Sequence, residues 1–206
     1  MKKIIIETLV ASEKTAIIED DKLVELLIDE AEDNKLVSNI YRGIVKNVKA
    51  GLEACFVDIG MEKLAYLPLK NDSNIKSGMD IMVQVNKDAV GTKGPKLNLE
   101  VSLSGRYLVY IPSNDRITRT EAQGCTQEEL EKDFIELKTK YDLICKEFKL
   151  GIGPKPLYKE LSTVSKYIND NVNEDVEEIV VNDTEKYNEI KSILKSINKD
   201  YLNKLK

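Results

Sequence analysis

The sequence contains no histidine and only three cysteines, Cys55, Cys125 and Cys145. The cysteines are scattered along the chain and form no C-x-x-C pair. A structural zinc site needs clustered cysteine or histidine ligands, and a disulfide scaffold needs a dense cysteine framework. We therefore expect neither a zinc site nor a disulfide scaffold in this protein.

Long apolar runs are also missing. No segment approaches the ~20 apolar residues that a membrane span requires, and the N-terminus has no signal-peptide pattern. Charged residues make up 33% of the chain and hydrophobic residues 42%, which is ordinary for a soluble protein. We expect a cytoplasmic protein of one or two domains with no membrane partner.

The whole chain has a net charge of −5, and basic residues exceed acidic residues in only one part of it. Residues 37–105 carry nine basic and seven acidic side chains, whereas residues 1–36 carry five and ten. Residues 106–206 carry 17 and 19. A polyanion such as RNA is attracted to a positive surface, so the middle segment is the better candidate for binding it. Because the excess is small, such binding needs help from stacking.

Five short runs in this middle segment have the pattern of β-strands. Apolar and polar residues alternate in each, and small or charged turns separate them, which predicts an antiparallel meander that closes into a small barrel. The five runs are Ile40–Val48, Ala54–Ile59, Leu64–Leu69, Met79–Lys87 and Leu97–Leu103.

Two aromatic residues fall on the polar side of this alternation. Cys55, Val57 and Ile59 share one face, which places Phe56 on the opposite face, and Tyr66 is opposite the aliphatic residues of the next run. Two exposed rings on neighbouring strands form a stacking platform for unpaired bases. The alternative is that another part of the chain covers one or both rings.

The C-terminal half has helical patterns. Thr126 and Glu129 form a capping box, and an apolar stripe with steps of three and four residues runs from Leu130 to Phe148. A second helix is predicted at Pro156–Ile168 and a last helix at Asp183–Leu205, with a strand at Val176–Val181 between them. The fold class is therefore α+β.

Motifs along most of the chain resemble, in order, the N-terminal region of bacterial ribonuclease E/G endoribonucleases. The matching segments are Ile40–Val45 (IYRGIV), Leu52–Gly60 (LEACFVDIG), Ala65–Leu69 (AYLPL), Gly91–Asn98 (GTKGPKLN), Ser102–Pro112 (SLSGRYLVYIP), Arg119–Ala122 (RTEA) and Gly153–Tyr158 (GPKPLY).

The resemblance implies a five-stranded OB-fold barrel of the S1 type, inserted in an RNase H-like α/β domain. Residues 1–36 would be the first strands of that outer domain, and residues 37–105 the RNA-binding barrel. Residues 106–206 would be the remainder of the RNase H-like and 5′-sensor-like domain.

The resemblance also implies two sites. Single-stranded RNA would contact Phe56, Tyr66 and Lys93, although Lys93 alone reads equally as a solvated loop lysine. A 5′-monophosphate would be bound by the Arg119–Thr120 pair with support from Gly105 and Val109, since a guanidinium and a hydroxyl both engage phosphate oxygens. The alternative for Arg119 is a surface ion pair with Glu121 or Asp115.

One departure from the family affects the second site. Family members have several tens of residues before the Arg-Thr pair where this sequence has only residues 115–118. The sensor region is therefore expected to be shortened, which places Arg119 less well for a phosphate.

No convincing catalytic set is present among the 36 acidic residues. The family is a Mg²⁺-dependent class of endoribonuclease whose catalytic aspartates lie in a later, DNase I-like domain, and we expect that domain and its cofactor to be absent from this sequence. The resemblance implies RNA binding as the substrate-capturing part of such an enzyme in RNA processing, partnered by a catalytic ribonuclease domain or by further copies of itself. The alternatives are a stand-alone RNA-binding or adaptor protein and a structural module that binds protein through its acidic helical half.

Overall fold

The computed structural model describes residues 1–10, 12–30, 35–69 and 74–206. In these ranges the strands are β1 (Lys2–Thr8), β2 (Ser12–Glu19), β3 (Lys22–Glu30), β4 (Ile40–Lys49), β5 (Ala54–Asp58), β6 (Ala65–Pro68), β7 (Asp80–Lys87), β8 (Lys96–Asn98), β9 (Leu103–Ser104), β10 (Leu108–Ile111), β11 (Asp115–Thr118), β12 (Lys155–Tyr158) and β13 (Val176–Val181). The α-helices are α1 (Gln127–Leu150), α2 (Thr163–Asn171) and α3 (Thr184–Ile197), and short 3-10 helices cover Ala50–Leu52, Thr120–Ala122 and Lys199–Lys204. The fold is mixed α/β, and no helix among the described residues is long and apolar enough to cross a membrane.

Contacts divide the chain into two compact units. One unit is Met1–Asp33 with Leu161–Lys206, and the other is Asn34–Glu160. Segments from both ends of the chain thus build one unit, which is the arrangement expected when one domain interrupts another. Because this grouping reflects compactness alone, the predicted domain limits at residues 36 and 105, and the RNase H-like identity of the outer domain, stay predictions.

The first unit is a four-stranded sheet packed against helices. Its strand order is β13-β1-β2-β3, with β1 parallel to β13 and antiparallel to β2. Alternation along β1 buries Ile4 and Ile6 and leaves Ile5 more than one-third exposed. The buried side chains pack with those of α2 and α3, including Ile168, Ile190 and Leu194.

The second unit contains the predicted barrel. Strands β4, β5, β6, β8 and β7 follow one another in the sheet, and a pairing between β4 and β7 closes it. This closed five-stranded barrel is consistent with an OB-fold, which confirms the predicted fold class. Strand β12 adds to the free edge of β4 through Lys155 and Arg42.

The barrel interior is filled by buried hydrophobic residues from every strand. They are Tyr41, Val45, Cys55, Val57, Ile59, Ala65, Leu67, Ile81, Val83, Val85 and Leu97, together with Leu36. In β5 and β6 the inward residues alternate with Phe56 and Tyr66, as the sequence pattern predicts. Because side chains alternate along each strand, the residues that fill the barrel interior determine which residues face outward.

A second core lies between β9, β10 and helix α1. It contains Leu103, Leu108, Tyr110, Leu137 and Ile144. Helix α1 begins at the predicted capping box, where the backbone N–H of Glu129 donates to Thr126 Oγ1 and the N–H of Thr126 donates to a Glu129 carboxylate oxygen. This packing places one face of α1 against the strands that follow the barrel.

Two helix predictions need correction. The predicted helix Pro156–Ile168 is wrong over its first part, because Lys155–Tyr158 forms β12 and the helix begins only at Thr163. The predicted helix Asp183–Leu205 stops at Ile197. Proline lacks the N–H of a helix interior but fits an edge strand, which is where Pro156 lies.

Candidate nucleic-acid interface

Phe56 and Tyr66 lie side by side on the outer face of the barrel. They are direct partners in the antiparallel pairing of β5 with β6, and their ring centroids are 6.2 Å apart at an interplanar angle of 68°. Both side chains are half-buried, so neither ring is sealed beneath the chain. The edge-to-face pair holds the two rings in fixed orientations while part of each surface stays accessible.

An acidic residue, Asp58, shares the outer face of β5 with Phe56. Its carboxylate accepts a hydrogen bond from the Gly60 N–H at 2.9 Å and pairs with Lys46 Nζ at 3.2 Å. The Gly60 hydrogen bond is the main cause of the lowered pKa of Asp58; burial opposes it, and the Lys46 contact lowers the pKa further. The carboxylate is therefore ionised at neutral pH, and Lys46 offsets its charge next to the rings.

Lys93 is exposed on a tight loop that leads into β8. Its backbone N–H donates to the Val90 carbonyl at 3.0 Å, and Lys63 Nζ donates to the Gly91 carbonyl at 2.7 Å. Gly94 packs so closely on the Leu64 carbonyl that an added Cβ would overlap it. These contacts pin the loop to the start of β6, where the Tyr66 N–H donates to the Pro95 carbonyl at 2.8 Å.

The residues predicted for a 5′-phosphate lie close together. Arg119 is half-buried, and its Nη1 donates to the Gly105 carbonyl at 2.5 Å and to the Arg106 carbonyl at 3.2 Å. Arg119 Nη2 also pairs with Glu121 at 3.3 Å, so the alternative ion pair is present. Thr120 is exposed, and Val109 lies on β10 opposite Ser104. The structure thus brings Arg119 to the Gly105 turn, with two of its donors engaged by protein oxygens.

Sequence reasoning missed Asp133, which organises this turn from helix α1. Asp133 Oδ1 accepts from the N–H of Arg106 at 3.2 Å, and Oδ2 accepts from the N–H groups of Tyr107 at 2.8 Å and Leu108 at 2.9 Å. Gly105 packs against the same carboxylate, and a Cβ there would overlap both oxygens. The only sequence signal was a carboxylate on the apolar side of α1, between Leu130 and Leu137.

A buried polar cluster in the first unit has no sign of catalytic function. Lys186 Nζ pairs with Glu189 at 2.9 Å and with Glu13 at 3.1 Å, and donates to Ser162 Oγ at 3.2 Å. Burial alone would lower the pKa of Lys186, but the hydrogen bonds and charges of Glu189 and Glu13 outweigh it and raise the pKa. A lysine that stays protonated is a poor base for activating the neighbouring serine hydroxyl. In the described part of the chain, no three His, Cys, Asp or Glu side chains are grouped to hold a metal ion.

Comparisons with known proteins agree with the motifs. A model of the Ribonuclease E/G family matches residues 115–206. Ribonuclease E of Buchnera aphidicola subsp. Schizaphis graminum is 33% identical over 82% of this chain, and Ribonuclease E of Haemophilus influenzae is 27% identical over the whole chain. Ribonuclease G of Escherichia coli K12 is 27% identical over 82% of the chain. The chain belongs to the ribonuclease E/G family.

This member of the ribonuclease E/G family spans only part of its relatives. It corresponds to 20% of the Buchnera protein, 27% of the Haemophilus protein and 45% of the E. coli protein. The alignment with Haemophilus ribonuclease E extends over 256 positions, so that relative carries residues that have no counterpart among the 206 here. The shortening predicted before Arg119 stays a prediction.

Proposed function

We propose that this chain binds single-stranded RNA as the N-terminal, substrate-capturing part of a ribonuclease E/G-type endoribonuclease. The RNA lies across the outer face of the barrel, with bases stacked on Phe56 and Tyr66 and a backbone phosphate held by Lys93. The observation that carries the proposal is the pair of half-buried rings facing outward on adjacent strands of a closed barrel. Aromatic platforms of this kind bind bases without depending on sequence.

The proposal extends to the 5′ end of the RNA. A 5′-monophosphate would lie against Arg119 and Thr120, beside the turn that starts at Gly105. Support comes from the position of the Arg119 guanidinium at that turn and from the exposure of the Thr120 hydroxyl. Because Arg119 also pairs with Glu121, the phosphate must compete with a carboxylate for the guanidinium. We therefore expect a modest preference for 5′-phosphorylated RNA.

RNA binding is tested by fluorescence anisotropy with a labelled oligouridine of about 12 nucleotides, within the range of known OB-fold footprints. Phe56→Ala and Tyr66→Ala should each weaken binding by about 1–3 kcal/mol, which is about 5- to 150-fold in Kd. Phe56→Leu keeps an apolar side chain but no ring, so it should lose most of the same affinity. Tyr201→Ala removes a half-buried ring from the other unit and should bind as the unchanged protein does.

Two results would overturn the proposal. The first is an unchanged chain that fails to bind the oligonucleotide at low salt. The second is full affinity in both ring variants, which would favour a structural module that binds protein. Incubating the chain with RNA and Mg²⁺ and scoring cleavage decides between a capture segment and a nuclease.

The 5′-end proposal is tested separately with two oligonucleotides that differ only in a 5′-phosphate or a 5′-hydroxyl. The phosphorylated form should bind more tightly, and Arg119→Ala should remove the difference without abolishing binding by the barrel. Equal affinities in the unchanged protein would remove the 5′-end function and leave the barrel function intact.

A further inference from the structure

Two lysines face each other next to the aromatic pair. Lys96 on β8 is the register partner of Tyr66 on β6, and on its other side it is the partner of Lys87 on β7, where the register of β7 shifts between Val85 and Lys87. Direct partners on neighbouring strands share a face of the sheet. The outer face therefore presents Phe56, Tyr66, Lys96 and Lys87 in one row across four strands.

This lysine pair is unfavourable in the free protein. Like charges directly opposite each other on adjacent strands are destabilising. Within the described ranges, neither Lys87 nor Lys96 takes part in an ion pair with an acidic side chain, whereas Lys46 on the same barrel pairs with Asp58. Lys96 is also half-buried, whereas Lys87 is exposed. Among the described residues, the two lysines have no acidic side chain that offsets their repulsion. An anion bound between them would offset it.

We propose that Lys87 and Lys96 form a phosphate subsite for the backbone of single-stranded RNA, directly beside the base stacked on Tyr66. This inference rests on the proposed function, since the same strand of RNA supplies the base and the phosphate. Neighbouring strands are about 4.8 Å apart, so the row from Phe56 to Lys87 spans roughly 14 Å. The RNA crosses the barrel strands along this row, with its bases over the rings and its backbone reaching the lysine pair.

The subsite differs from Lys93 in how it is held. Lys93 projects from a loop, whereas Lys87 and Lys96 lie on paired strands, at the point where the register of β7 shifts after Val85. A phosphate between two ammonium groups releases condensed counterions from the RNA when it binds. The lysine pair should therefore contribute to the salt dependence of binding, whereas the rings should contribute to affinity at every salt concentration.

The test measures oligouridine affinity over a series of salt concentrations. Lys96→Ala and Lys87→Ala should each weaken binding about three- to tenfold at low salt, and each should reduce the slope of log Kd against log salt by about 0.7, the value for one single-strand phosphate contact. Phe56→Ala should weaken binding without changing the slope. Lys140→Ala, which removes an exposed charge from α1, should change neither affinity nor slope. Lys96→Arg should retain the slope.

A second measurement separates binding from folding. Removing one of two opposed charges relieves repulsion, so Lys96→Ala should unfold at the same or a higher temperature than the unchanged protein in the absence of RNA. Lost affinity with retained stability supports the subsite.

Two outcomes overturn the inference in distinguishable ways. If the lysine variants bind like Lys140→Ala while Phe56→Ala binds weakly, the subsite is wrong and the proposed function stands. If the unchanged protein does not bind the oligonucleotide, or if both ring variants bind normally, the proposed function fails and the subsite fails with it.

Discussion

Removing the Asp133 carboxylate should destabilise the turn at Gly105 and lower the free energy of unfolding of the protein. The carboxylate accepts three backbone hydrogen bonds, from Arg106, Tyr107 and Leu108, at 2.8–3.2 Å. Hydrogen bonds to a charged acceptor contribute about 1.5–3 kcal/mol each in well-buried settings. Because the turn is half-buried and water reaches part of it, we expect Asp133→Ala to lower the free energy of unfolding by about 2–4 kcal/mol in total.

The coupling between Asp133 and Gly105 makes this prediction sharper. A Cβ at Gly105 would overlap both Asp133 oxygens, so Gly105→Ala should be strongly destabilising in the unchanged protein. In the Asp133→Ala background the carboxylate that would overlap the new Cβ is absent, so Gly105→Ala should lower the free energy of unfolding much less. The two substitutions together should therefore cost about 1–2 kcal/mol less than the sum of the separate costs.

The assay is urea unfolding of the four proteins of this double-mutant cycle, followed by far-UV circular dichroism. Asp133→Asn is the matched variant that keeps the side-chain shape and one acceptor oxygen, and it should lose less stability than Asp133→Ala. Additivity within about 0.5 kcal/mol would refute the reasoning, because it would show that Gly105 and Asp133 do not constrain each other. As a functional readout, Asp133→Ala should reduce discrimination between 5′-phosphate and 5′-hydroxyl RNA while the barrel retains its affinity.

Further predictions concern three other residues, Thr126, Gly94 and Asp58. Thr126→Ala removes the capping box of α1 and should lower the free energy of unfolding by about 1 kcal/mol, measured by thermal unfolding; no loss would mean that the cap is redundant. Gly94→Ala should both destabilise the barrel and weaken RNA binding, because its Cβ overlaps the Leu64 carbonyl and must displace the loop; normal affinity would separate the loop from the site. The lowered pKa of Asp58 keeps its carboxylate ionised next to the rings, so this charge should not change and oligouridine affinity should stay flat between about pH 5.5 and 8.5. The stability that Asp58 contributes is present above its unfolded-state pKa and lost as pH falls through the lower folded-state pKa, so unfolding followed against pH should show that loss only in acid.

The parts of the fold that depend on local patterns could be read from the sequence. Alternation in β5 and β6 predicted that Phe56 and Tyr66 face outward, and the Thr126–Glu129 spacing predicted where α1 begins. Both signals come from neighbouring residues, since a strand alternates with a period of two and a cap needs only one turn of helix. Neither prediction required knowledge of which strands pair.

The errors and omissions all involve partners that are distant in the sequence. The segment Lys155–Tyr158 becomes a strand because the N-terminal half of β4, more than 100 residues earlier, offers it a free edge. The lysine pair arises from the parallel pairing of β6 with β8 and the antiparallel pairing of β8 with β7. Asp133 reaches the Gly105 turn from a different element, more than 20 residues along the chain. Register and docking of this kind are set by the closed barrel and its core rather than by local preference.

The whole chain has a net negative charge, but several carboxylates on the barrel have partners within the protein that offset their charge. Asp58 and Asp80 each pair with a basic side chain of β4, at 3.2 Å and 2.7 Å. Asp88 accepts hydrogen bonds from the N–H groups of Leu36 and Val37. These carboxylates are partly neutralised by their partners. Opposite charges in contact cancel at the distance of an approaching phosphate, so Lys87 and Lys96, which have no acidic partner among the described residues, are the charges that the proposed RNA backbone would meet beside Tyr66.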